Sequence, residues 1–441
     1  MIKFTLFFLS LSLLIILHEF GHFITARWFK ARVDKFYLFF DFLFPFSNVL
    51  KFSIFKKKVG DTEYGIGWFP FGGFVDIAGM MADPDKPNEE PKPDEFRGKK
   101  PWQRLIILAG GVLVNAILAV IIYSMMMWAY GEEYLPTSEA KYGVACDSLA
   151  YEIGLKDGDK ILSVDNKPVE NLHKIGLTLI LDKAKTIQVE RGGVKSEIQI
   201  PEGFDERVVE KEVRSLIDAQ MPFVIDSVVP GKPGAMAGLK KGDSLIALNG
   251  DTLVYFHQFV RNFQKNKSKA VTLGIIRNGA PQEIKVTLDK DGLMQVRPKG
   301  PENYFSLKRT EYGFFEAWGR GFVKTGEVLT SYVKQLRLLF TKAGASKVGG
   351  FASIGSMFPS TWDWEAFWSI TAFLSIVLAF MNLLPIPVLD GGYILFVLWE
   401  MITGKKVSDK FMQTALNIGM YLVLGLLVLA NGNDIYRFLI K

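Results

Sequence analysis

Hydrophobic residues concentrate in four long stretches of the chain, separated by regions of mixed polarity. The stretches cover 4–26, 105–130, 367–389 and 412–430, and each comes close to the roughly 20 residues that a helix needs to cross a bilayer. The first has the position of a secretory signal peptide, but basic residues follow its apolar run and no small-residue cleavage site is present. The pattern therefore predicts four transmembrane helices, the first of them retained.

Basic residues near the ends of these helices predict their orientation. They follow the first helix, precede the second, and lie between the third and fourth: Arg27, Lys30, Arg32, Lys35, Arg97, Lys99, Lys100, Arg104, Lys405, Lys406 and Lys410. Loops rich in Lys and Arg stay on the cytoplasmic side. Both termini and the long 131–360 region are therefore expected on the opposite, outer side.

Composition agrees with a membrane protein. Of the 441 residues, 49% are hydrophobic and only 22% are charged. The formal net charge of +6 comes from residues in loops, without a basic stripe interleaved with aromatic residues, so nucleic acid is not an expected partner. Cys146 is the single cysteine, which excludes an internal disulfide.

Two similar segments lie between the second and third helices. Residues 154–166 read GLKDGDKILSVDN, and residues 238–250, which start 84 positions later, read GLKKGDSLIALNG. Helix-like stretches and alternating strands follow each segment. The doubled pattern resembles PDZ domains, at 131–203 and 219–298. Such domains bind peptide ends by adding a strand to a sheet; domains that only pack against the enzyme are an equal alternative.

Two further segments have a recognisable pattern. Residues 314–340 place apolar side chains on one helical face and charged ones opposite, which predicts an amphipathic helix. It either lies on the outer membrane surface or is buried under the PDZ domains. Residues 63–79 are apolar and glycine-rich around Pro70, which predicts a β-hairpin. This hairpin is either a re-entrant element lining an active site or a plain cytoplasmic hairpin.

The strongest chemical signal is HEFGH in the first apolar stretch, with His18, Glu19 and His22. Residues four apart share a face of a helix, so both imidazoles can reach one ion with Glu19 beside it. Ionisable side chains inside a membrane helix are costly, and a bound cation compensates for them. The motif predicts a catalytic zinc site, in which Glu19 removes a proton from the attacking water.

Asp390 is the expected third ligand. The other histidines, His173 and His257, lie in the PDZ-like repeats on the outer side, so the ligand should be a carboxylate at membrane depth. Asp390 ends the segment NLLPIPVLD and is the only acidic residue between Glu365 and Glu400. The two prolines break the helix and allow its side chain to turn inward. Because the first and third helices run in the same direction, both half-sites fall toward the cytoplasmic leaflet.

Together these motifs resemble the site-2 protease family of intramembrane zinc metalloproteases, and within it the bacterial RseP type with tandem PDZ domains. The resemblance implies a multi-pass α-helical membrane protein of the bacterial inner membrane. It would have four transmembrane helices, a re-entrant β-hairpin, and two extracytoplasmic PDZ-like α+β domains in the periplasm. The implied zinc ligands are His18, His22 and Asp390, with Glu19 as the catalytic base.

The resemblance also implies substrate contacts and a role in regulated intramembrane proteolysis. The implied contacts are Asn115, Asn382, Phe71, Gly72, Gly73 and Phe74. For Asn115, in GVLVN of the second helix, helix packing is the alternative. Expected substrates are single-span proteins, such as anti-sigma factors or leftover signal peptides, that another protease has already cut. The PDZ pair would then exclude uncut molecules from the bilayer site.

The expected organisation has five parts. Residues 1–130 form an N-terminal membrane half, the PDZ-like domains occupy 131–203 and 219–298, an amphipathic helix and connector occupy 311–361, and 362–441 form the C-terminal membrane half. Two other function classes remain open: a membrane-anchored PDZ scaffold with an inactive metal motif, and a metal-dependent transporter. Metal analysis separates scaffold from enzyme, and a transport pathway requires polar residues on several spans.

Overall fold

The computed structural model describes residues 2–42, 50–70, 72–80, 90–211, 215–339, 341 and 348–440. The chain divides into two compact units. One combines Met1–Gly131 with Glu311–Lys441, and the other is Glu132–Thr310. Each unit has its own hydrophobic clusters and is described below by itself.

Among the described residues of the first unit, four helices are long and apolar enough to cross a membrane, as predicted. With elements numbered in chain order, they are α1 (Ile2–Trp28), α2 (Pro101–Tyr130), α10 (Trp364–Leu383) and α12 (Asp409–Ile440). The third ends earlier than its apolar stretch because Pro385 and Pro387 follow it, and proline cannot continue a helix. The broken segment leads into a separate helix that begins at Asp390.

The chain between α1 and α2 forms a four-stranded sheet rather than the predicted hairpin. Its strands are β1 (Val33–Leu38), β2 (Ser53–Val59), β3 (Thr62–Gly67) and β4 (Phe74–Ile77), in the order β2-β3-β1-β4. The hairpin prediction over 63–79 was wrong in its pairing, because β3 and β4 flank β1 instead of each other. Tyr37 of β1 explains the order: its ring stacks on Phe74 at 5.1 Å, and its hydroxyl donates to Glu63 Oε1 at 2.7 Å.

The second unit contains two α+β halves of similar order, enclosed by an antiparallel pair of β5 (Glu132–Tyr134) with β17 (Lys308–Thr310). The first half comprises β6 (Val144–Cys146), α3 (Ser148–Glu152), β7 (Lys160–Val164), α4 (Leu172–Leu181), β8 (Thr186–Arg191), β9 (Val194–Gln199), α5 (Phe204–Glu210) and β10 (Ile217–Ala219). The second comprises β11 (Ile225–Val228), α6 (Pro233–Met236), β12 (Ser244–Leu248), β13 (Asp251–Thr252), α7 (Phe256–Lys265), β14 (Ala270–Arg277), β15 (Ala280–Thr287) and β16 (Val296–Pro298).

The repeated GD turn has the same structural role in both halves. Asp159 is fully buried and is held by Arg191, whose Nε and Nη2 each donate over 2.7 Å. Asp243 is held in the same way by Arg277. A buried carboxylate needs such a partner, so the recurring aspartate in the sequence marks the same bidentate ion pair twice. The last strand of each half pairs with the first, as β10 with β6 and β16 with β11.

The remaining helices of the described residues belong to the first unit: α8 (Phe314–Leu339), α9 (Phe351–Met357) and α11 (Asp390–Thr403). α8 packs along α2, where the backbone of Gly321 approaches Ser124. Tyr332 of α8 meets the rings of Phe373 and Phe380 on α10 edge-on. The predicted amphipathic helix therefore exists, and it lies against two of the four long apolar helices.

Candidate active site

The two histidines of the HEFGH motif share one face of α1. Their Nε2 atoms are 3.3 Å apart, and the side chains of His18 and His22 are 12% and 10% exposed. His22 Nδ1 lies 2.9 Å from the carbonyl oxygen of Ile107 on α2. That carbonyl can only accept, so Nδ1 carries the proton and Nε2 presents a lone pair.

Asp390 reaches the same point from the start of α11. Its Oδ2 lies 3.2 Å from His18 Nε2 and 3.3 Å from His22 Nε2. The turn before it is tightly constrained: Val388 has a φ of 92°, which is unusual for a β-branched residue. Side chains at Gly391 and Gly392 would collide with the backbone of this turn. The glycines therefore let the proline-containing turn fold back and aim Asp390 at the histidines.

α2 forms the wall against which the two histidines pack. A Cβ at Gly111 would collide with His22 Nε2 and lie 2.6 Å from His18 Cε1. One turn further, Asn115 is fully buried, and its Nδ2 lies 3.4 Å from His18 Nδ1. The spacing of His18, His22 and Asp390 thus depends on a helix surface without a side chain at position 111.

The three side chains fit a tetrahedral zinc ion. Ligands about 2.0–2.1 Å from zinc in a tetrahedron lie about 3.3 Å from one another, and the three observed separations are 3.2, 3.3 and 3.3 Å. Asp390 Oδ2 is buried and has no hydrogen bond of good geometry among the described residues. A buried carboxylate oxygen beside two imidazole nitrogens is the arrangement that a shared cation would stabilise. Among the described residues, this is the one metal-ligand cluster of three or more side chains.

Glu19 lies between the histidines and the sheet. It accepts a backbone hydrogen bond from Val75 of β4, and a Cβ at Gly73 would be 3.2 Å from Glu19 Cγ. Gly72 abuts the Phe40 ring, and Phe74 stacks on Tyr37. Asn382 lies in the last turn of α10, and Phe71 lies outside the described residues. The edge strand β4 therefore runs beside the carboxylate of the motif.

The sequence alone did not point to Gly111 or to the carbonyl of Ile107. Both act through helix packing: Gly110 of α2 meets Gly21 of α1 so closely that a Cβ on either would collide with the other's backbone. A Gly-Gly pair inside an apolar helix is a signal of such close approach. Here the pair is Gly110-Gly111, and Gly111 stands four residues before Asn115.

Comparison with known proteins gives the class of this one. The family profile Peptidase family M50 matches residues 6–426. The Regulator of sigma-E protease RseP of Escherichia coli K12 is 28% identical over 456 residues, with 98% of each chain covered. Protease RseP of Yersinia pestis is 26% identical, again with 98% coverage of each chain. A Neisseria meningitidis protein whose name describes a zinc metalloprotease is 28% identical over 98% of both chains.

The chain therefore belongs to peptidase family M50, the site-2 proteases, and it is a zinc metalloprotease. Its four apolar helices and its RseP relatives indicate a protein of a bacterial inner membrane.

Proposed function

We propose that this protein is an intramembrane endopeptidase that hydrolyses a peptide bond within the transmembrane segment of a single-span membrane protein. The observation that carries the proposal is the convergence of His18, His22 and Asp390 from two apolar helical segments to mutual distances of 3.2–3.3 Å. Zinc held by these three ligands would act as a Lewis acid on the scissile carbonyl and on the attacking water.

The residues around the metal ligands have separate tasks in this mechanism. Glu19 takes the proton from the attacking water and returns it to the leaving amine. The Ile107 carbonyl orients His22. Asn115 orients His18. Its Oδ1 is buried without a partner among the described residues. When the side-chain oxygen and nitrogen of Asn115 are exchanged, the oxygen accepts the proton on His18 Nδ1. Asn115 would thus also act on a metal ligand, and Asn115 and Asn382 both remain the asparagines expected to contact substrate.

The substrate helix must unwind before its amides are accessible, and the sheet offers a place for the extended strand. β4 is an edge strand of the order β2-β3-β1-β4, and Val75 of β4 contacts Glu19. An unwound segment can add to this edge through main-chain hydrogen bonds. Gly72 and Gly73 let the chain before β4 pack closely against Phe40, Ile15 and Glu19, and the proposed substrate contacts of Phe71, Gly72, Gly73 and Phe74 remain predictions.

The outer region acts before the bilayer site in this proposal. The two halves of Glu132–Thr310 would be the PDZ-like domains predicted at 131–203 and 219–298, with the first extended as far as β10 (Ile217–Ala219), and both would lie in the periplasm with both chain termini. Their first strands, β6 and β11, are already paired on both edges, whereas β10 and β16 each have one partner in the part of the chain that the structure describes. Peptide ends would therefore add to β10 or β16. Substrates are single-span proteins, anti-sigma factors or signal-peptide remnants, that a first protease has shortened.

Replacement of Glu19 tests the proposal directly. In liposomes containing a shortened single-span substrate, Glu19→Gln should lower cleavage at least about 100-fold, because a general base contributes roughly that much. The variant should still bind one zinc ion, since its ligands are intact. Glu365→Gln, on the exposed first turn of α10, should cleave like the parent. Cleavage by Glu19→Gln at the parent rate would refute the mechanism.

A further inference from the structure

An ion pair joins α2 and α11, two of the helices that build the metal site, without belonging to that site. Arg104 Nη2 donates to Glu400 Oε1 over 2.6 Å, and the two side chains are 8% and 13% exposed. Arg97 and Asp409 form another pair nearby, but their side chains are 26% and 46% exposed. Of these two pairs, it is Arg104 and Glu400 that would be left as charged groups with little access to water if they were separated.

The two helices joined by this pair carry different parts of the metal site. On α2, Arg104, Ile107, Gly111 and Asn115 follow one another at intervals of three or four residues, so they share a face. Ile107 and Gly111 touch the histidines. On α11, Glu400 follows Asp390 by ten residues, or about 15 Å at 1.5 Å per residue. The pair therefore restricts where α11 can present Asp390.

Stability alone does not explain a buried ion pair at this position. Removing two charges from water costs several kcal/mol per ion, and well-packed apolar side chains of similar volume are often equally stable. What an ion pair adds is a defined register between the elements it joins. Arg104 Nε is buried without a hydrogen-bond partner among the described residues, so its contact with Glu400 decides how the guanidinium is oriented.

We propose that Arg104 and Glu400 are positioning residues, which hold α11 in the register at which Asp390 completes the metal site. This inference rests on the proposed zinc site, because the pair acts through Asp390. Breaking the pair lets α11 slide or rotate against α2. The distance from Asp390 to the histidines then varies, and zinc is held by two ligands instead of three for part of the time.

Zinc affinity is the measurement that separates positioning from folding. The full-length protein is purified in detergent, and chelator competition gives the zinc dissociation constant of Glu400→Gln, Arg104→Met and the apolar double variant Arg104→Met/Glu400→Leu. All three should bind zinc about 10–100-fold more weakly, the range for partners that orient metal ligands. Excess zinc should restore most of the lost kcat with little change in KM. The charge-reversed double variant Arg104→Glu/Glu400→Arg should regain part of the affinity.

Two controls keep the result interpretable. Arg97→Gln/Asp409→Asn removes the exposed pair and should leave zinc affinity unchanged. Glu19→Gln should keep zinc and lose cleavage. If Glu19→Gln cleaves like the parent while Arg104→Met binds zinc more weakly, the proposed function fails and the positioning role stands; a parent protein that binds no zinc overturns both. Should the single variants fail to fold, the apolar double variant decides. If it is folded and binds zinc like the parent, the pair is only structural and the inference is overturned.

Discussion

At the scale of single residues, the absence of one methyl group makes the metal site possible. We expect Gly111→Ala to weaken zinc binding at least about tenfold, because the added Cβ would occupy space taken by the imidazoles of His18 and His22, and packed interiors accommodate such overlaps poorly. Zinc affinity and cleavage should fall together. Gly425→Ala is the matched control, since a Cβ at Gly425 of α12 would meet open space. Parent-like zinc affinity in Gly111→Ala would show that the α1–α2 approach is not limiting.

The same residues show how far sequence reasoning reaches. His18, Glu19 and His22 lie within one helical turn of each other, so their shared chemistry could be inferred from spacing alone. Asp390 could be selected because few carboxylates occur at membrane depth. Gly111 and Ile107 contribute only through the packing of α2 on α1, which depends on residues about 90 positions away in sequence. Local periodicity contains no information about that contact.

At the scale of elements, Asp157 is the main acceptor that attaches α7 to the first half of the second unit, beside the bonds of Arg261 to the Tyr151 hydroxyl and the Cys146 carbonyl. Asp157 accepts hydrogen bonds from the Cys146 amide, His257 Nε2 and Arg261 Nη1 over 2.7–3.0 Å. Burial acts to raise the pKa of Asp157, but the hydrogen bonds from Tyr151, Cys146, Arg261 and His257 outweigh it and hold the pKa at about 2. Its stabilising effect is therefore fully present above about pH 4 and is lost as the pH falls toward 2.

Cys146 provides a native probe of this attachment. Its side chain is 2% exposed, and burial raises the pKa of its thiol to about 12, so it should react slowly while the first half stays closed. The probe is 4,4′-dithiodipyridine, which reacts with thiols in acid as well. At pH 7, Cys146 should react about tenfold faster in Asp157→Asn than in the parent, because the groups that donate hydrogen bonds to the Asp157 carboxylate lose a charged acceptor. Near pH 2 the two proteins should become alike. Asp251→Asn, at an exposed carboxylate, should behave like the parent; a parent-like rate in Asp157→Asn at pH 7 would contradict this role.

Among elements, the sequence predicted those whose signal is local. The four spanning helices and the doubled GD turns follow from apolar length and from direct repetition. The sheet before α2 was missed because β1 pairs parallel with β3, and the pairing partners lie nearly 30 residues apart. A glycine-rich apolar segment looks like a hairpin when its partner strand is not considered. The docking of α8 on α2 and α10 is likewise a property of packing and not of the amphipathic pattern.

At the scale of the whole molecule, the proposed chemistry requires one direction of insertion. The zinc ligands must lie toward the cytoplasmic leaflet and the PDZ-like region outside, which is the orientation that the basic residues favour: Lys405, Lys406 and Lys410 stand between α11 and α12. If α2 and α10 each cross once, as predicted, the chain after Tyr130 and before Trp364 is expected on the side opposite this basic loop.

Labelling of single cysteines tests that orientation without reference to activity. In a Cys146→Ala background, cysteines replace exposed serines at three places, as Ser138→Cys, Ser360→Cys and Ser408→Cys. A membrane-impermeant maleimide applied to cells with an opened outer membrane should label the first two and should reach position 408 only after the inner membrane is permeabilised. Each variant must retain cleavage, so that the labelled molecules are the active ones. If position 408 were labelled in closed cells while 138 and 360 were protected, the site would open toward the other leaflet, and substrates shortened in the periplasm could not be the ones this enzyme receives.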